Sequence, residues 1–182
     1  MARYYKKRRY YRRKGRWSAN IKTLTNSTIT ASPGTFYGVT DLCQNPVQVD
    51  TTVSQQYTVK NVEVSFEIDF PNGQSSALGG LNIEALTSYI MFVPQGMTVT
   101  ETYPNTHPEY IMAYKFYGSP NYEFTSNDIV NPGRNSVRVK TRLSRRLQTG
   151  DKIILLIVGS NGGNNNINLE YNGIVRWWTK AN

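Results

Sequence analysis

The chain is poor in the residues from which small-molecule sites are usually built. Its 182 residues include one cysteine, Cys43, and one histidine, His107. A single thiol excludes an intrachain disulfide and a cysteine-based zinc site, and a single imidazole excludes paired-histidine metal motifs. Ala and Leu together number only 17, too few for a helical protein. The longest purely aliphatic run, Ile153 to Val158, is six residues, where a membrane helix needs about 20. No apolar stretch of the secretory type stands near the start. Without one, the sequon Asn26-Ser27-Thr28 is read as chance.

Acidic residues are missing from the first sixteen positions. That stretch instead holds Arg3, Lys6, Lys7, Arg8, Arg9, Arg12, Arg13, Lys14 and Arg16, with Tyr4, Tyr5, Tyr10 and Tyr11 between them. These nine cations account for the whole formal charge of +9, because the rest of the chain carries twelve basic and twelve acidic residues. A segment of this composition repels itself and has little to bury, so it is expected to be disordered alone. Its chemistry suits polyanions: Lys and Arg neutralise phosphates whatever the base sequence, and tyrosine rings stack on unpaired bases. We place the boundary between this arm, residues 1–16, and a single body, residues 17–182, at Gly15 to Trp17.

In the body, 18 Thr, 14 Val and 12 Ile favour pleated strands, and 18 Asn, 14 Gly and 8 Pro supply turns. The clearest strand is Tyr57 to Phe70. Val62, Val64, Phe66, Ile68 and Phe70 share one face, and Glu63, Ser65, Glu67 and Asp69 share the other. Tyr57 and Val59 are apolar in the opposite phase, which predicts a β-bulge at Lys60-Asn61. Ile153 to Val158, apolar on both faces, predicts a central strand. Ile167 to Trp177 reads as one long strand across Gly173, with a hairpin turn at Asn172-Gly173 as the alternative. Further strands are expected at 21–30, 85–93, 109–117, 122–130 and 136–143, a loop at 31–55, and a loop or short strand at 97–108. The fold class is therefore all-β: an eight-stranded antiparallel jelly roll, a two-sheet sandwich, with a disordered basic N-terminal arm.

A second basic cluster contains Arg134, Arg138, Lys140, Arg142, Arg145 and Arg146 without an acid. Alternation puts Arg138, Lys140 and Arg142 on one face of a strand. The cluster suits a nucleic-acid surface or a patch for sulfated glycans, or serves only as edge protection and salt bridging. The acidic face at Glu63, Ser65 and Glu67 reads as a solvated strand face or one lying against a basic neighbour. Trp177 joins the apolar face of its strand, leaving Trp178 as a candidate subunit contact. His107 has no nucleophile partner that the sequence singles out, and no metal, cofactor or catalytic constellation is expected.

An Arg/Tyr-rich arm running straight into such a body resembles the capsid proteins of circovirus-like small circular single-stranded DNA viruses. The resemblance is carried by the arm MARYYKKRRYYRRKGRW, by Gln56 to Phe66, by the turn and strand from Leu147 to Ile154, and by Asn168 to Trp178. It implies a T=1 icosahedral shell of sixty copies and an internal arm on single-stranded DNA, with RNA as the alternative polymer when the protein is expressed alone. It further implies passage through the host nucleus by way of import receptors that read the arm as a localisation signal. A virion location and a cell-surface receptor or sulfated glycan follow from the same likeness; insertion in a membrane does not. The rival from a different class is a non-viral or phage β-barrel module that binds single-stranded nucleic acid.

The arm makes a quantitative prediction. With about nine phosphate contacts on a single strand, the plot of log affinity against log salt should slope at about −6. A titration over several salt concentrations measures it, and a flat response or a strong preference for one sequence would count against electrostatic binding.

Overall fold

The computed structural model describes residues 17–45, 56–69, 83–117 and 135–181. The arm, Arg134 and the expected strand at 122–130 lie outside these residues. The strands are β1 (Ser18–Ala31), β2 (Gly34–Gln44), β3 (Tyr57–Asp69), β4 (Ile83–Val93), β5 (Ile111–Tyr117), β6 (Asn135–Lys140), β7 (Ser144–Leu147), β8 (Lys152–Asn161) and β9 (Ile167–Ala181). One sheet runs β1-β9-β3-β6, with β7 also paired to β3, and the other runs β2-β8-β4-β5. Every pairing is antiparallel. Since β6 and β7 lie along the same edge of β3, nine segments fill eight strand positions among the described residues. Most connections cross from one sheet to the other, which is the wiring of a jelly roll.

Alternation builds the core. Val62, Val64, Phe66 and Ile68 of β3 meet Leu86 and Ile90 of β4 and Ile153, Leu155 and Ile157 of β8 between the sheets, all buried. Each such side chain contributes roughly 1.5–3 kcal/mol. The other face of β8 is apolar for a separate reason. Ile154 and Leu156 pack with Met91, Val93 and Tyr103 beneath the connection from β4 to β5. That connection was expected as a loop or short strand; it instead carries a helical turn, α1 (Tyr103–Thr106), and a 3-10 turn at Pro108–Tyr110. Pro104 is the second residue of the helical turn and Pro108 the first of the 3-10 turn, positions whose N–H has no partner within the turn, so its absence costs nothing.

Three further expectations need correction. Residues 34–44, read as loop, form the edge strand β2, whose few buried side chains are Phe36, Leu42 and Cys43. The strand expected over 136–143 ends at Lys140; Leu143 is exposed and β7 begins at Ser144. The first strand begins earlier than expected, at Ser18. The alternative hairpin at Asn172-Gly173 does not form. β9 is continuous there, and Gly173 faces inward opposite Phe66, where a side chain's Cβ would lie 2.5 Å from that of Phe66. The space goes to the Phe66 ring, which meets Tyr171 edge-on at 5.8 Å.

The bulge expected at Lys60-Asn61 is present. Lys60 faces Trp178 and Glu63 faces Arg176, so three steps on β3 match two on β9. Asn61 takes up the extra residue at φ 50°, in the left-handed region that Asn tolerates and β-branched residues avoid. Asn61→Val should therefore cost about 1–2 kcal/mol, whereas Asn61→Gly should cost well under that. Denaturant midpoints of the two variants measure the difference, and equal costs would mean the bulge is not held by this backbone conformation.

Candidate nucleic-acid interface

In an antiparallel pair, directly opposed residues point to the same side of the sheet. The register therefore assembles the outer face of the five-stranded sheet row by row. One row contains Ile21, Arg176, Glu63 and Lys140, and the next contains Thr23, Ile174, Ser65 and Arg138. Arg138 and Lys140 thus point outward together, as alternation predicts, while Val137, Val139 and Thr141 are buried. Glu63 lies between the two cations. Its Oε1 accepts from Arg138 Nη2 at 2.8 Å and Nε at 3.0 Å, and its Oε2 is 3.6 Å from Lys140 Nζ. The acidic face of β3 is in this part a partner for the basic one.

The remaining members of the cluster separate. Arg142 is exposed in the link between β6 and β7, and Arg146 points outward from β7. Arg145 turns the other way. It is opposite the buried Val59, donates to the Glu109 carbonyl, and places its guanidinium carbon 5.7 Å from the centre of the Phe92 ring. It closes one end of the sandwich and does not join the outward ridge, because β7 keeps the phase of β6, with even-numbered residues outward and odd-numbered ones inward. Trp178, on β9, is half-buried and outward, opposite Lys60 and Ala19.

The sequence argument missed Lys60, Arg176, Lys180 and Trp17 on this face. Lys60 and Lys180 each lie two residues from a recognisable position, but only the pairing of β3 with β9 brings them together. A shallow depression of about 290 Å³ on the same face is lined by Glu63, Glu67, Arg176 and Asn172. Its two carboxylates make it a poor seat for a polyanion. His107 stacks on Tyr103 and Tyr110, with ring centres 4.9 and 5.4 Å away, and its Nδ1 is 3.3 Å from Glu109 Oε1. It is part of the packing around α1. No cluster of three or more metal-ligating side chains occurs among the described residues.

Comparison with known proteins adds little. No family model matches the chain, and no curated protein matches it. Among solved structures, one titled "Structure of infectious bursal disease virus Gx strain" aligns over 88% of this chain at 12% identity with a TM-score of 0.36. This chain spans 32% of the length of that one. An overlap that low carries no weight for function, and the jelly-roll wiring rests on the strand pairing described above.

Cys43 is not poised as a nucleophile. It is buried between the sheets, and desolvation of the thiolate pushes its pKa from 9.0 up to about 12, against smaller opposing effects of a backbone hydrogen bond from Ile153 and the charge of Lys22. Burial likewise raises the nearby Tyr57 phenol from 10.0 to about 12. Both groups are held neutral in the fold and ionise more readily once unfolded. Stability is therefore full below pH 9 and falls as the pH rises from 9 toward 12, by up to about 1.4 kcal/mol per unit for one such group. Denaturant midpoints at several alkaline pH values should show the fall, and Cys43→Ala should flatten its onset. An unchanged slope in that variant would mean the thiol is not desolvated.

Proposed function

We propose that this chain is a capsid subunit that self-assembles into a T=1 shell of sixty copies and packages circular single-stranded DNA. The observation that carries the proposal is the junction between arm and sheet. Nine cations end at Arg16, and β1 starts two residues later at Ser18 as an edge of the five-stranded sheet. The outer face of that sheet holds Arg138, Lys140 and Arg176, so the arm joins the body beside its basic face. The resemblance of the arm and the two ends of the body to circovirus-like capsid proteins supports the same reading. The arm condenses the genome by counterion release without reading bases, and the charge-neutral body is left to form contacts between subunits. An arm of this composition also suits recognition by nuclear import receptors, which accords with assembly in the host nucleus.

The arrangement also favours an inward ridge. Arg138 and Lys140 share one carboxylate, Glu63, so with Arg142 in the following link they retain positive charge that phosphate would neutralise if this face meets the genome, and that only salt or a sulfated glycan would meet if it faces out. Sedimentation tests assembly directly: a shell runs as a megadalton species, while a binding module stays close to the 20.7 kDa of one chain. Replacing Arg138, Lys140 and Arg142 by Gln should leave the shell intact and lower its 260/280 nm absorbance ratio. An unchanged ratio together with lost heparin binding would put the ridge on the exterior.

A further inference from the structure

We propose that one end of the five-stranded sheet's outer face is a stacking site for single-stranded nucleic acid, built from Trp17, Trp178, Lys60, Lys180 and Arg146. The ligand class rests on the packaging function proposed above; the site itself rests on strand register. Ala19, Trp178, Lys60 and Ser144 are aligned across β1, β9, β3 and β7. Two residues further along, Lys180, Thr58 and Arg146 form the adjacent row on the same face. Trp17 precedes β1 next to these rows, and its ring lies 3.8 Å from Lys60 Nζ. With strands about 4.8 Å apart and alternate residues about 6.7 Å apart, three cations and two indoles share a small area.

The charge distribution favours a polyanion. Neither row contains a carboxylate, and none of Lys60, Lys180 and Arg146 makes an ion pair with a described residue. Glu63, in the neighbouring row, is already held by Arg138 and Lys140. Clustered cations without acids are unusual at the centre of a protein–protein contact, where charge is depleted. The indoles narrow the class of polyanion. A duplex hides its base faces, while a single strand offers them to aromatic side chains beside a basic groove. Lys60 holds the Trp17 indole from one side by a cation–π contact, and the residue remains 37% exposed. The site also adjoins the arm, since Trp17 directly follows Arg16. A strand gathered by the arm reaches it within one residue's length, about 3.5 Å.

The test uses the full-length protein and a single-stranded oligonucleotide carrying 5-bromodeoxyuridine, irradiated and mapped by mass spectrometry. Crosslinks are expected at Trp17 and Trp178 as well as at the arm tyrosines. The double variant Lys180→Gln/Arg146→Gln keeps both indoles and should lower the Trp178 crosslink yield with an unchanged melting midpoint. Trp17→Leu should weaken oligonucleotide binding about fivefold or more at fixed salt, the loss typical of one stacked base. Crosslinks confined to the arm would overturn the stacking site and leave packaging standing. No crosslinks anywhere, with particles free of nucleic acid, would overturn both. If Trp178 is protected from oxidation in shells emptied of nucleic acid, it is a subunit contact and the assignment made here is wrong.

Discussion

The bulge at Asn61 determines both faces of the five-stranded sheet. Tyr57 and Val59 point inward on odd numbers, and Val62 to Ile68 point inward on even ones. Without the extra residue, either Tyr57 and Val59 would be forced outward or Val62 to Ile68 would be, with Glu63, Ser65 and Glu67 entering the core, because a slip of one residue exchanges the faces of a strand. The bulge thus buries both apolar sets and keeps Lys60 and Glu63 both on the outside. On the opposite edge the same three steps of β3 match four, from Lys140 to Ser144, so the edge strand breaks into β6 and β7. The Thr141 N–H bonds the Val62 carbonyl at 2.9 Å, which ties the break to the bulge.

β9 meets a similar irregularity on its other flank. Leu24 faces Gly173 and Ser27 faces Tyr171, with Asn26 at φ 50° and its N–H donating to Asn172 Oδ1 at 2.8 Å. Both neighbours of β9 therefore bulge while β9 remains continuous for 15 residues. Bulges increase local twist, so an unbroken β9 flanked by bulged strands is free to curve over the core. Across the gap between sheets, Tyr171 meets Thr40 through their hydroxyls and Lys22 Nζ donates to the Asp41 carbonyl at 2.6 Å. Arg145 bonds the Glu109 carbonyl at the other end. The sandwich is closed by polar contacts at its margins and by hydrocarbon within.

What was legible in the sequence depended on how local the determining signal was. β3, β8 and the length of β9 follow from alternation or its absence within a single segment, and even the Asn61 bulge shows as a change of phase. β2 was not legible because it is an edge strand with few inward apolar residues. A further register shift between Asp41 and Cys43 interrupts its period. Arg145 stays in phase with β6, but its contacts with the Glu109 carbonyl and the Phe92 ring come from distant parts of the chain that alternation does not reveal. For the candidate site, alternation was enough to put Arg138 and Lys140 on one face. It was not enough to align Lys60 with Trp178, or Arg146 with Lys180, since those rows exist only through pairings over more than eighty residues of chain.

The Glu63 carboxylate changes how the basic ridge should be weighed. Arg138 and Lys140 share it, so the pair presents about one net positive charge to a ligand in place of two, and a phosphate approaching there competes with an existing contact. Lys60, Lys180 and Arg146 have no such competitor among the described residues. The difference is not large in energy, because Arg138 and Lys140 are 63% and 49% exposed and water screens the pair. It is large enough to set an order. If the chain packages nucleic acid as proposed, phosphate is expected to favour the arm, whose sequence holds nine cations and no acid, then the end of the sheet beside Trp17, and the Glu63 ridge last. On the described part of the sheet, charge and strand register together thus separate an unopposed basic end from a ridge already held by a carboxylate.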